Sequence, residues 1–575
     1  MLKAIYCFFT LCLVMVAGPC PGQSAWTFTG NTTLTWEQAI ARYEELDRSH
    51  VGARLLTIGE DDDGSPIHLF VVSDGSGFTQ DSVRAAGKNI LWITNGIHPG
   101  EPDGIDASLL LAQALLEGDQ YMGLLANTAV CIVPVYNVWG AKQRQRSSRP
   151  DQNGPKVHGI RANARNLDLN RDFIKMDARN TWAMVEALTR WDPDVYLETH
   201  VSDGADHQYV MELLTTQKDK LDPTLSAFML GTMVPDLYAW MDRRTIPMCP
   251  YFETVKDTPE EGLMAFNDGP RYSTGYNALF DRIGILAESH MLKPYADRVN
   301  ATLQLMFATL ASMNEHGDEL KTAREKAKEA TRTSTGAAFN WVLDSTSEMT
   351  PWRGYKATNR ISPVTGLEVL YYDHHQPTND SVPWYGSYKS SVFINKPKAY
   401  LVPQQWHEVI ACLKANGVAV DVLDTTMTFR CVRYDVVHHD VSKAPYESHF
   451  LWKSASVEPV FNDVVARRGD VLVPMGRTTD RFVMSVLEPE PNDSYLTWNF
   501  FDAVVSQKEW FTPYAFDTIA QGILERDPGL RARFNEERRS PEFASDPWRQ
   551  YNFILQHSPY AEGWFPRHPI LRIEH

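Results

Sequence analysis

Residues 89–101 read Asn89-Ile-Leu-Trp-Ile-Thr-Asn-Gly-Ile-His98-Pro-Gly-Glu101. Ile90 to Thr94 is a short apolar run of the kind that forms a buried strand. Just beyond it stand an imidazole and a carboxylate three residues apart, able to close on one metal ion. Zinc takes nitrogen and oxygen ligands of this kind, and a catalytic site leaves a position open for water. By itself the pair is a weak signal in a chain with 17 His and 72 acidic residues. It requires a third ligand, a general base and a substrate anchor further on.

Outward from this stretch, strands and helices alternate. Thr35-Trp-Glu-Gln38 has the form of a capping box, and Trp36, Ala39, Ile40, Tyr43 and Leu46 make a helical stripe behind it. Leu55 to Ile58 and Ile67 to Val72, joined by Asp61-Asp-Asp-Gly64, predict a hairpin. Helices are expected from Ile105 to Glu117, Thr181 to Trp191 and Pro294 to His316, and strands over Ala129–Val135, Val195–Thr199 and Ile283–Ala287. The pattern predicts an α/β fold with a mixed, mostly parallel sheet flanked by helices. Ligands bind such sheets outside the carboxyl ends of the strands, and His98, His200 and Glu288 each fall at or just past one.

The charged run Asp318 to Arg332 reads as a solvated helix, and Thr333-Ser-Thr-Gly336 marks a domain boundary. Three parts are therefore expected: a leader over 1–25, a catalytic domain over 26–335, and a C-terminal mixed α/β or β-rich accessory domain over 336–575. In the last, Ala399 to Val402, a helix over 405–416 and Val418 to Leu423 suggest a βαβ unit, and Phe500–Phe511 and Pro513–Glu525 read as helices.

The 575 residues are 43% hydrophobic and 22% charged, enough to bury a large core, and the net charge of −17 argues against nucleic acid as the main partner. Lys3 followed by the apolar run Ala4 to Ala17 fits a secretory signal better than a membrane span, so a secreted or periplasmic location is expected, without a span after signal removal. No inhibitory pro-segment is expected after it. Cys131, Cys249, Cys412 and Cys431 are too widely spaced for a disulfide framework, although an oxidised Cys412–Cys431 pair is conceivable.

The chemistry concentrates in two further stretches. Glu198-Thr-His200 closes a predicted strand, and His200 can be the third ligand; Glu198 has no ligand role but can serve behind the metal site. Asn166-Leu-Asp-Leu-Asn-Arg-Asp-Phe173 offers Arg171 as a planar fork for a carboxylate, Asn170 as an amide donor, and Asp168 as acceptor for the second N–H of a metal-bound imidazole.

The ordered set His98-x-x-Glu101, Asp168-Leu-Asn170-Arg171, His200 and Glu288 resembles the zinc carboxypeptidase family of the carboxypeptidase A type, over roughly residues 30 to 316. The two-part chain further resembles secreted bacterial members with a long C-terminal extension. The resemblance implies one Zn²⁺ held by His98, Glu101 and His200, with Asp168 orienting His98. It implies Asn170 and Arg171 on the substrate's terminal carboxylate and Glu288 as general base. It also implies an arginine for the oxyanion, for which Arg149 is preferred over Arg144, Arg146 and Arg161, and a tyrosine lining the site, Tyr272 before Tyr276. Ala278, Leu279 and Asp281 lie where the family sets selectivity, giving an expected apolar or aromatic terminal residue with a basic one open.

The expected activity is hydrolysis of C-terminal peptide bonds in a peptide or peptide-like substrate with a free carboxylate. Alternatives are a cell-wall peptide or other carboxylate-bearing amide as substrate, and an inactive binding protein on the same scaffold, against which the complete ligand set and Glu288 weigh. His374-His375 and His438-His439 lack partners at ligand spacing and are not expected to bind metal.

Overall fold

The computed structural model describes residues 31–562 and 566–574. The leader expected over 1–25 lies outside them. Eight strands form the main sheet: β1 (Ala53–Glu60), β2 (Pro66–Val72), β3 (Asn89–Thr94), β4 (Thr128–Val133), β5 (Val195–Ser202), β6 (Met211–Thr215), β7 (Met248–Pro250) and β8 (Ile283–His290). Their order is β1-β2-β4-β3-β5-β8-β6-β7. The central strands β4, β3, β5 and β8 run parallel, while the β1–β2, β2–β4 and β8–β6 pairings are antiparallel. The sheet is thus mixed and mostly parallel at its centre.

Because side chains alternate across a strand, each central strand feeds two cores. Ile90, Trp92, Cys131 and Val133 face helix α3 (Arg179–Trp191), and Leu91, Ile93, Val130 and Ile132 face α2 (Asp103–Glu117), α4 (Tyr295–Glu315) and α5 (Gly317–Thr333). The helix that opens the described chain, α1 (Trp36–Ser49), starts in the capping box the sequence predicts, with Thr35 and Gln38 satisfying each other's backbone amides. Each fully buried Leu or Ile of these layers contributes about 1.5–3 kcal/mol over exposure.

β5 and β8 run three residues further than the apolar pattern predicts, so His200 and Glu288 lie within strands and not just past them. The polar ends of both strands are buried beneath other elements, and burial of a paired polar strand end leaves no periodic apolar signal. α5 also differs from expectation. Its charge run is not simply solvated: Leu320, Ala323 and Ala327 pack into the core, and Arg324 is buried. Arg324 donates Nη1 to Asp194 at 2.8 Å, Nε to the Asp281 carbonyl at 3.1 Å, and Nη2 to Asp192.

The C-terminal part is β-rich. Its largest sheet contains a long hairpin, β9 (Met427–Val441) and β10 (Trp452–Ala466). Ala399–Val402 and Asp421–Val422 flank helix His407–Ala415 as expected, but Val471–Pro474 inserts between them, antiparallel to both. No α-helix forms over 500–511, where only the short 3-10 turn Asp502–Val505 is found; the helix begins at Pro513. Phe501 is instead buried in a core shared with α3, Leu413 and Phe482, so tertiary packing overrides the local apolar pattern. Cys412 and Cys431 are free, buried thiols. No helix of the described residues is long and apolar enough to cross a membrane.

Burial pushes the Asp192 and Asp194 carboxyls up, but Arg324 with Arg282 and Lys328 on the first, and with Arg84 on the second, holds both below the usual carboxylate range. A carboxylate held low adds stability above its unfolded pKa of about 4, and that stability is lost as pH falls toward the folded value. Arg324→Met leaves two carboxylates short of their buried partner and is expected to cost about 3–5 kcal/mol at pH 7, read by urea unfolding. The gap from wild type should narrow on titration below about pH 4.

Candidate active site

The site is built where β3, β5 and β8 deliver polar groups to one edge. After β3 the chain turns through Gly96, whose φ of 62° suits glycine, and brings His98 and Glu101 back over the sheet before α2 begins. α2 comes close because Gly104 has no side chain: a Cβ there would stand 1.9 Å from Thr199 Oγ1. In the parallel β5–β8 pair, His200 and Glu288 are register partners and lie side by side.

Glu101 Oε2 sits 3.1 Å from His200 Nδ1 and 3.5 Å from His98 Nδ1, and all three groups are buried. Two ligands of a tetrahedral zinc with bonds of about 2.0–2.1 Å lie about 3.3 Å apart. Glu101 therefore stands at ligand spacing from both imidazoles, and one ligand atom from each of the three residues lies within 4.8 Å of the others. The far nitrogens are held by carboxylates: His98 Nε2 is 2.9 Å from Asp168 Oδ1, and His200 Nε2 is 2.9 Å from Glu198 Oε2. Each carboxylate fixes the tautomer that leaves Nδ1 free for a metal. Glu198 is itself held by Tyr196 Oη and Ser273 Oγ, at 2.8 and 2.6 Å.

The electrostatics favour a cation. Burial pushes Glu101 and Asp168 up, but the imidazoles with Arg149 on the first, and His98 with Arg161 on the second, hold both low. Burial lowers His200, yet Glu288, Glu101 and Glu198 outweigh it and lift the imidazole well above its ordinary range. Burial pushes Glu288 up to about 7, opposed by His200 and His98 and reinforced by Glu101 and Glu212.

These groups line a cavity of about 370 Å³ that also includes Asn170, Arg171, Arg149, Arg161 and Tyr272. Arg149 donates to Glu101 Oε1 at 2.8 Å, to the Val201 carbonyl at 3.0 Å and to Gln152. Arg161 grips Asp168 through Nε and Nη2 and brings Nη1 to 3.2 Å from His98 Nδ1. Arg144 is spent on the carbonyls of Thr33, Leu34 and Val157, away from the cavity. The Arg171 guanidinium lies 4.3 Å over the Tyr272 ring, whereas Tyr276 is buried in the core with its hydroxyl on Asn416. The Asn170 side-chain Oδ1 accepts from the Ser273 N–H at 3.1 Å.

Ala278, Leu279 and Asp281 do not line this cavity. Asp281 is buried against Thr331 and Arg481, and the wall past Tyr272 is made by Thr274, Leu286, Leu214 and Glu253. Glu198, which the sequence marked only as a supporting possibility, lies directly against His200 Nε2. Its position two residues before His200, hence on the same strand face, was the available signal.

A second buried group, His207, Glu212 and His290, also gathers within 4.8 Å. Its nitrogens are already engaged: His207 Nδ1 accepts from the Tyr209 N–H at 3.2 Å, leaving Nε2–H for Glu212 at 3.0 Å, and His290 Nε2 donates to the Ala205 carbonyl at 3.1 Å. Burial pushes His207 down to about 3 and His290 to about 4, so both imidazoles are neutral, and it pushes Glu212 up to about 7. Glu212 is the register partner of Glu288 in the antiparallel β8–β6 pair and so lies beside it on the same sheet face.

The family model described as zinc carboxypeptidase matches residues 42–273, the stretch that holds His98, Glu101, Asp168, Asn170, Arg171 and His200. Over that stretch the chain is similar to zinc carboxypeptidases, which are hydrolases. Carboxypeptidase 2 of Trichophyton equinum is 21% identical over 428 residues, covering 71% of this chain and 73% of the relative. Carboxypeptidase 2 of Trichophyton rubrum is 20% identical over the same shares. Among solved structures, a metallo-carboxypeptidase from Burkholderia cenocepacia superposes with a TM-score of 0.37 at 17% identity, covering 50% of this chain and 69% of that one. The curated relatives are fungal, so the expected secreted bacterial type is not confirmed.

Replacing the carboxylate behind His200, Glu198→Gln, is expected to weaken zinc affinity about 10–100-fold in chelator competition. Unchanged affinity would mean that Glu198 does not support the ligand.

Proposed function

We propose that this protein removes C-terminal residues from peptides, with one zinc ion held by His98, Glu101 and His200 and with Glu288 as general base. The observation that carries the reading is the convergence of two Nδ1 atoms and one carboxylate oxygen at ligand spacing, with Glu288 beside His200. When bound, zinc supplies Lewis acidity that lowers the pKa of a water and polarises a carbonyl. Asp168 and Glu198 orient the two imidazoles, and Glu288 takes a proton from the attacking water and returns it to the leaving amine. Arg149, seconded by Arg161, which approaches the same Glu101 Oε1, faces the oxygen on which negative charge develops. Asn170 and Arg171 grip the terminal carboxylate, and Tyr272 walls the pocket beside them.

In this reading, residues 26–335 form the catalytic domain and 336–575 an accessory domain that limits what enters. The leader over 1–25 directs export, so the substrate is met outside the cytoplasm.

The test is release of C-terminal residues from a peptide panel that includes cell-wall stem peptides and N-acyl amino acids. Glu288→Gln should reduce kcat about 10²–10⁴-fold while the protein keeps its zinc. Chelation should abolish turnover and added zinc restore it. Full activity in Glu288→Gln would overturn the mechanism, and turnover of acyl amides alone would replace peptides by a deacylase substrate.

A further inference from the structure

The tip of the β9–β10 hairpin reaches the Asp168–Arg171 segment from the C-terminal part. Tyr446 and His449 pair by backbone hydrogen bonds of 2.8 and 3.0 Å across Glu447-Ser448. Both central residues are left-handed, with φ of 48° and 68°. Two-residue hairpin turns of this kind favour Asn and Gly, and a non-glycine residue there costs of order 1–3 kcal/mol. The observed outliers therefore call for compensating contacts, and these lie on the anchor segment.

The Glu447 carboxylate accepts the Asp168 backbone N–H at 2.8 Å. The Tyr446 hydroxyl accepts from Arg171 Nε at 3.1 Å. With Nη1 on the Asn170 carbonyl, Nη2 is the arm of Arg171 that carries no hydrogen bond among the described residues. The tip is pinned from behind: His449 Nε2 is 2.7 Å from Asp177, and Tyr446 stacks on Trp498. Arg271, paired with Asp493 at 2.8 Å, lies over the Trp498 ring. A rigid, anchored tip thus touches two members of the Asp168–Arg171 segment from 275 or more residues away along the chain.

We propose that this tip sets substrate selection: Tyr446 fixes the pose of Arg171, and Glu447 that of the segment from Asp168, for a substrate's terminal carboxylate. Tyr446 and Glu447 are positioning residues, acting through Arg171 and Asp168. The idea rests on the carboxylate-anchoring role given to Arg171 above. It predicts that a peptide ending in a free carboxylate gains from the tip and that the same peptide ending in an amide does not.

The experiment measures binding by calorimetry of one hexapeptide, as free acid and as C-terminal amide, to zinc-loaded Glu288→Gln protein with and without tip substitutions. Turnover of the free acid by the corresponding proteins with Glu288 intact is measured in parallel. Tyr446→Phe keeps the stacked ring and loses only the hydroxyl, so the fold should survive; its thermal midpoint and zinc content serve as controls. The free-acid Kd and KM are expected to rise about five- to tenfold, with kcat within twofold and amide binding unchanged. Glu447→Ala should do the same, while Glu447→Gln, which keeps an acceptor for the Asp168 N–H, should stay near wild type. Free-acid binding within twofold of wild type in both Tyr446→Phe and Glu447→Ala, or equal losses for acid and amide, would overturn the proposal. Failure of the wild-type protein to release any terminal residue would instead sink the functional reading, and the binding data would still judge the tip.

Discussion

The cleft depends on one contact, the buried Glu101 carboxylate between the imidazoles of His98 and His200. A buried carboxylate is expensive unless each oxygen is satisfied. Here Oε1 accepts from Arg149, and Oε2 accepts the Val201 N–H at 3.0 Å while lying against both Nδ1 atoms. That requirement ties the turn after β3 to the end of β5. Through the register of β5 with β8 it also fixes where Glu288 stands. The close approach of α2 at Gly104 serves the same end, since any side chain there would push Thr199, and hence His200, out of place.

Around this contact the charges form successive layers. Asp168 and Glu198 stand behind the imidazoles, Arg161 behind Asp168, and Tyr196 and Ser273 behind Glu198. Glu212, held by His207, stands beside Glu288. Each layer removes freedom from the one in front, which is how a site holds the narrow tolerance that metal binding and proton transfer require. The C-terminal part joins this scheme. It shares a hydrophobic core with α3, and its hairpin tip meets the segment that carries Asn170 and Arg171.

Much of the sheet was legible because its signals are local. The apolar runs of β3 and β4, the capping box at Thr35 and the end of α2 at Glu117 each depend on a few adjacent residues. The His-x-x-Glu pair and Asp168-x-Asn170-Arg171 are compact for the same reason. Reading failed where burial replaced pattern. The polar ends of β5 and β8 do not look like strand, Arg324 looks like surface, and the apolar run at 500–511 looks like a helix although Phe501 is drawn into a distant core.

The sequence by itself determined the types of group at the cleft, their order and the α/β frame that brings strand ends together, since these follow from side-chain chemistry and from periods of two and 3.6 residues. Only the tertiary structure decided that Tyr272 faces the cavity while Tyr276 enters the core, and that Arg149 and Arg161, not Arg144, reach the wall. It alone brought Glu447 to Asp168 across 279 residues of chain. Contacts of that range leave no local pattern, because they arise from the packing of two separately patterned regions and from the need to satisfy each polar group buried where they meet.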